Sequence, residues 1–267
     1  MADLTLGGMA LRDGVLLLSR DNWAAAVRLP DGSIDVRSGA RSRRPGQGAF
    51  DRVPVLRGLG RIAEMTVTLP AMRRELGRPV LPQEEPAVLW AAVASATASL
   101  LLRRLLKKAP LPRELVVSAL SIAPALIAVR ATDLSRFHGA EHKSVAAYET
   151  GTSAAEAARE HDRCGTNLIG PLLLTNVAGG LALHATGAEE QPLPNLLVGL
   201  ASLGSAFEIF SWMTRHRGNR VADLLRAPGL TLQRLLTTRE PDGAQLEVAQ
   251  SALTELLQRE GAAPQAA

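Results

Sequence analysis

The 267-residue chain is 46% apolar but only 3% aromatic, and its formal net charge is +4. A Leu/Ala/Val excess gathered in runs suits helices in lipid better than a β-rich soluble core. No basic stripe interleaved with aromatics marks a nucleic-acid surface, and the single cysteine, Cys164, excludes an intrachain disulfide and suits a reducing compartment.

The opening Met1-Ala2-Asp3-Leu4 has no basic stretch ahead of a long apolar one, so no signal peptide is expected and the N-terminal part is placed in the cytoplasm. Residues 1–40 read as a small curled sheet. Val15 to Ser19 and Trp23 to Leu29 are apolar runs, Pro30-Asp31-Gly32 is a turn, and Ile34 and Val36 then alternate with polar residues. Gly7-Gly8 and Gly14 flank the first strand without making a phosphate loop. Residues 38–49, with Arg41, Arg43, Arg44 and three glycines, read as a solvated loop. Val53 to Arg74 predicts a helix, with Val55, Leu59, Ile62 and Met65 at helical spacing.

Four apolar segments follow, Pro86 to Leu102, Leu115 to Val129, Leu168 to Thr186 and Leu193 to Met213. A spanning helix needs roughly 20 apolar residues. The last two reach that length; the first two are shorter and on length alone also fit buried helices of a soluble bundle. Charge divides the pairs again. Glu189 and Glu190 lie between the third and fourth segments, and Arg215, Arg217, Arg220 and Arg226 follow the fourth. That places a hairpin with its tip outside and its ends in the cytoplasm. The link of the first pair holds Arg103, Arg104, Lys107, Lys108 and Arg113, which resist translocation. Either that link is an exception, or the first pair is a re-entrant or interfacial hairpin.

Beyond the fourth segment, Ala227-Pro228-Gly229 is expected to break the chain and Glu240-Pro241-Asp242-Gly243 to turn it. Leu246, Ala249, Leu253, Leu256 and Leu257 then mark an amphipathic helix, and the tail from Gly261 is expected to be disordered. The expected fold is a mainly α, helical membrane protein with two to four transmembrane or re-entrant helices, a small N-terminal β-sheet and a cytoplasmic metal-binding segment. Its divisions are 1–80, 81–130, 131–166, 167–215 and 216–267.

The sharpest chemical signal is His138-Gly139-Ala140-Glu141-His142-Lys143. Four apart on a helix, His138 and His142 stack on one face at a separation suited to one metal ion. Glu141 sits beside that face, placed to deprotonate a water, in the inverse order of the commoner zinc-protease motif. The plain alternative is two surface histidines with a Glu supporting the helix. A second cluster, His161-Asp162-Arg163-Cys164-Gly165, has the shape of a metal knuckle, its Gly permitting a tight turn. His138, His142, His161 and Cys164 together would close a tetrahedral zinc shell, whereas three of them would leave a position for water. Glu208, a carboxylate inside an apolar segment, is a functional candidate by its cost in lipid, or else an ion pair with Arg215. Lys143 is placed to steady a developing oxyanion. No Walker motif, Rossmann fingerprint or Gly-x-Ser-x-Gly elbow is present.

Several stretches resemble the YqhQ family of bacterial membrane proteins, a domain-of-unknown-function family catalogued as predicted metal-dependent enzymes. They are Phe137 to Lys143, Tyr148-Glu149, Arg163 to Thr166, Phe207-Glu208, and Ala227 to Glu240 running on to Asp242, with Gly7-Gly8, Asp13-Gly14-Val15 and Val53 to Gly58 near the start. The family usually opens with a Glu where this chain has Asp13. The resemblance implies integral membrane association and a metal; it supplies no substrate.

Three functions are therefore expected in descending order. The first is a metal-dependent hydrolase, with zinc as the divalent ion and Glu141 as the base. The second is a non-enzymatic assembly or interaction protein with a structural metal, and the third a transporter-like protein using Glu208. The expected setting is the cell membrane, multi-pass, with 131–166 and both termini cytoplasmic. The expected partners are the lipid bilayer and a membrane protein or second copy of the chain, with no nucleic acid.

Overall fold

The structure, a computed structural model, describes residues 4–41, 52–77, 79, 81–131 and 133–262. Four strands form one antiparallel meander: β1 (Gly7–Leu11), β2 (Gly14–Leu18), β3 (Asn22–Arg28) and β4 (Ile34–Ala40), ordered β1-β2-β3-β4. β1 lies in the stretch expected as sheet but takes in Gly7-Gly8, which the sequence reading set at the flank of the first strand. A two-residue turn at Arg12-Asp13 joins it to β2, and Asp13 takes a left-handed conformation there. β4 extends to Ala40, so the first part of the expected 38–49 loop is strand. The rest of that loop, from 42, lies outside the described residues, as does the tail beyond 262.

Both faces of the sheet are covered, which is why β2 and β3 read as continuous apolar runs rather than alternating ones. Ala10, Val15, Leu17, Ala24 and Ala26 pack on Phe137, Ala140 and Val145 of α5 (Leu134–Thr150) and on Val248, Ala249, Ala252 and Leu256 of α9 (Gly243–Arg259). Leu11, Leu16, Leu18, Trp23, Ala25 and Val27 pack on Met72 and Leu76 of α1 (Leu56–Leu76) and on Leu81. Helix α1 ends where Gly77 adopts a left-handed cap. Asp242 caps α9 in a box with Gln245, as the expected turn there permits.

The remaining helices are α2 (Pro86–Leu105), α3 (Pro110–Ser121), α4 (Ala123–Ala131), α6 (Ile169–Thr186), α7 (Pro192–Arg215) and α8 (Arg220–Leu232). Four stretches are long and apolar enough to cross a membrane: Pro86–Leu105, Pro110–Val129, Gly165–Thr186 and Pro192–Arg215. The first two, which length alone left ambiguous, are 20 residues each, and only 11% and 22% of their apolar windows are buried. Neither is largely buried among the described residues. Trp90, Leu100 and Leu105 on α2 and Leu193, Leu196 and Leu197 on α7 face outward.

Small residues let the helices approach closely. A methyl at Gly179 would meet Val198 Cγ1 at 2.5 Å, and one at Gly180 would meet Glu114 Oε2 at 2.1 Å. Across α6 and α7, Thr175 and Ser202 exchange hydrogen bonds, each hydroxyl donating to the other's carbonyl at 2.9 and 3.0 Å.

The basic link between α2 and α3 sits at the same end of the bundle as the acidic link between α6 and α7, where Lys107 pairs with Glu190. Arg103 makes a two-pronged bond to Glu114 at 2.8 and 3.0 Å, and Arg113 Nε donates to the same carboxylate at 2.9 Å. Two carboxylates, Glu114 and Glu190, thus offset part of the link's five positive charges.

One expected break is absent. Helix α8 runs through Ala227-Pro228-Gly229. Pro228 and the bare Gly229 lie against Gly170 and Asn167, where a methyl on Gly229 would meet Asn167 Oδ1 at 2.4 Å. This tight packing carries the helix past its proline.

Candidate metal centre

The segment expected as a metal-binding loop is mostly helix. α5 spans Leu134–Thr150, and nearly every residue from Leu134 to Val145 is buried. It lies against the sheet, α9 and the strand-like stretch 238–240. Gly139 permits that last contact: a methyl there would meet the Arg239 carbonyl oxygen at 2.1 Å, while Arg239 N–H donates to the Ser135 carbonyl at 2.8 Å.

His138 and His142 stack one turn apart with ring centroids 4.4 Å from each other. Each ring is oriented by a backbone carbonyl. His138 Nδ1 donates to Thr237 O at 2.8 Å, and His142 Nδ1 donates to Arg159 O at 2.6 Å. A carbonyl only accepts, so both Nδ1 atoms carry a proton, which leaves Nε2 as the nitrogen each ring can offer a metal. Cys164 meets them from the far end of the segment, its Sγ 3.2 Å from His138 Nε2. The ligand atoms of His138, His142 and Cys164 all lie within 4.8 Å of one another, a group that could hold a metal ion. Atoms bound to one zinc ion lie roughly 3.3–3.6 Å apart, from the usual Zn–N and Zn–S lengths in a tetrahedron. The donor set fits such an ion.

The loop carrying Cys164 is held by buried amides. Gln233 accepts from His161 N–H at 2.8 Å and donates to His161 O, and Asn167 Nδ2 donates to His161 O and Asp162 O at 3.1 and 2.9 Å. Thr166 donates to Cys164 Sγ from its hydroxyl at 3.2 Å and from its N–H at 3.5 Å.

Glu141 lies with this group. Its Oε2 is 3.6 Å from His142 Nε2 and 4.0 Å from His138 Nε2. Burial pushes its carboxyl up to about 7, and the neighbouring His138 acts the other way. Gly8 on β1 makes room for it, because a methyl there would lie 2.5 Å from Glu141 Oε1. Glu141, the two histidines and Cys164 line a cleft of 280 Å³ that residues 6–10 also line.

Three expected site residues are not brought into the group. His161 stands beside it, 5.7 Å from the His142 ring. Its Nε2 faces Glu149 Oε2 at 3.3 Å and its Nδ1 accepts the Arg163 N–H at 3.3 Å. Burial, then the nearby His142, depresses its pKa. Lys143 points away from the cleft and pairs with Glu240 at 2.6 Å. Glu208 is remote: Arg57 Nε donates to it at 2.6 Å and Val55 N–H at 3.3 Å. Sequence reasoning missed Gly8, Thr166 and the carbonyls of Arg159 and Thr237. Backbone acceptors leave no mark in a sequence, but the Gly8 and Thr166 positions fall inside stretches already singled out by resemblance.

The profile of a family described as protein of unknown function (DUF1385) matches residues 92–259, the stretch that carries all of these ligands. The chain belongs to that family. It is 27% identical over 300 residues to the uncharacterized protein YqhQ of Bacillus subtilis (strain 168), across 97% of this chain and 94% of that protein. No solved structure matches the chain. The resemblance to the YqhQ family therefore holds at the level of family membership. The family's matching stretches also meet in space: Phe137 to Lys143 touches 237–240, and Glu149 binds Arg163.

Proposed function

We propose that the chain is a membrane-embedded metal-dependent hydrolase, with zinc held by His138, His142 and Cys164. One observation carries this reading: a group of three protein ligands, rather than four, faces a cleft in which a buried carboxylate already sits. Structural zinc sites close all four positions with protein, while catalytic ones leave one open.

A divalent ion held there supplies Lewis acidity and brings the pKa of a water towards neutrality. The chain's residues do the rest. Thr237 and Arg159 carbonyls fix the imidazole orientations, and Thr166 and the Gln233–Asn167 clamp fix the thiol. Glu141 takes a proton from water as the water oxygen bonds to the carbonyl carbon of an amide or ester. The C–N or C–O bond then breaks, and Glu141 returns the proton to the leaving group. The four apolar helices would anchor this site at a bilayer surface. Arg215, Arg217 and Arg220 follow α7 at the metal end, which supports a cytoplasmic site under the positive-inside rule.

Glu141→Gln in zinc-loaded protein tests the reading. The expected result is retained zinc with hydrolysis of amide and ester probes lowered by about 10²–10⁴-fold, the usual contribution of a positioned acid–base group. Unchanged hydrolysis, or none in the wild type, would favour a structural metal.

A further inference from the structure

We infer that the substrate is a peptide in extended conformation, docked as an added strand on the free edge of β1; this rests on the hydrolase reading above. β1 is an outer strand of the sheet, paired on one side with β2. Which of its backbone groups face outward follows from the hydrogen bonds of β2. Arg28 N–H donates to Asp13 O and Ser19 N–H donates to Asn22 O, so residues 13, 15, 17 and 19 bond towards β3. Residues 14, 16 and 18 then bond towards β1, engaging their partners Leu11, Met9 and Gly7. The N–H and C=O of Gly8 and Ala10 are left pointing off the free edge. No hydrogen bond to either is found among the described residues.

That edge forms a wall of the cleft. Residues 6–10 line it consecutively, whereas a single face of a strand would offer alternate residues only. His138, His142, Cys164 and Glu141 line the same cleft. Gly7 and Gly8 are exposed and carry no side chain to bar an incoming backbone, whereas Ala10 is buried, so the outward N–H and C=O open to a peptide are those of Gly8. Such an edge recognises a chain by alternating donors and acceptors, independent of its sequence, while the cleft's apolar Met9, Val129 and Val145 would take side chains. A peptide paired with Gly8 would pass its next carbonyl towards the three ligands. A lipid ester has no such repeating backbone and would gain nothing from the edge.

The test compares two metal-directed probes on zinc-loaded, full-length protein in detergent: acetohydroxamate, and N-acetyl-dialanine hydroxamate, which adds a peptide backbone. Two further hydrogen bonds predict about tenfold tighter binding of the peptide probe. N-methylation of its amides should erase that advantage. In the wild type, the peptide probe should also slow hydrogen exchange at the Gly8 amide. Equal affinity of the two probes, or an advantage that survives N-methylation, would overturn the inference and leave the hydrolase reading standing. A Gly8 amide protected without probe in a protein that light scattering finds dimeric would overturn it too, by giving the edge to a second copy. Failure of acetohydroxamate itself to bind would overturn both.

Discussion

His138 Nε2 and Cys164 Sγ lie 3.2 Å apart although 26 residues separate them in the chain. The approach is built by third parties: the Thr237 carbonyl turns the imidazole, and Thr166, Asn167 and Gln233 turn the thiol. So many polar groups converging to aim two good metal ligands at one point is the arrangement a cation requires.

Thr166→Val removes the hydroxyl that donates to Cys164 Sγ and preserves side-chain volume. Metal affinity is expected to fall by about 10–100-fold, as for partners that orient ligands elsewhere. Competition with a chromogenic chelator measures it. An unchanged affinity would remove Thr166 from the account.

Gly8→Ala puts a methyl 2.5 Å from Glu141 Oε1. Because that carboxylate is buried, it has little room to yield, and a loss of about 1–3 kcal/mol is expected in denaturant unfolding. The same substitution in a Glu141→Ala background should cost markedly less, giving a coupling of about 0.5–3 kcal/mol between positions 8 and 141. Simple additivity would mean that the two do not touch.

Glu114→Ala should be the most damaging change in the helical bundle. It strands Arg113, whose side chain is fully buried and whose two Nη atoms already have no hydrogen-bond partner among the described residues. Breaking a buried pair in this way costs about 3–5 kcal/mol. Replacing both, Arg113→Met with Glu114→Met, should recover most of it. Unfolding in detergent micelles would decide, and a single-variant loss below about 1 kcal/mol would contradict the buried network.

What the sequence disclosed tracks how local each feature is. The His138–His142 spacing and Glu141 beside it are properties of one helical turn, and they were legible. Cys164 was legible as half of a His-x-x-Cys turn, but spacing could not say which donor points inward. His161 turns instead to Glu149, twelve residues upstream. Lys143 looked placed for chemistry until Glu240, 97 residues on, claimed it. Glu208 looked costly in an apolar helix, yet Arg57 answers it from α1, outside the apolar segments. Proline and glycine at 228 and 229 signalled a break because the contact that overrides them, Gly170 and Asn167, belongs to other elements. Strand β1 lay in the stretch read as sheet, but its extent over Gly7 and Gly8 was not legible, because the two glycines read as its flank.

Metal content bears most directly on the shared cation. Full-length protein, purified in detergent without chelators, would be analysed by mass spectrometry of metals beside His138→Ala and Cys164→Ser, each checked for folding by circular dichroism. The account predicts about one zinc ion per chain in the wild type, and loss of it in both variants while helical content is kept. Zinc retained in both variants, or a wild type that takes up none when zinc is supplied, would contradict it.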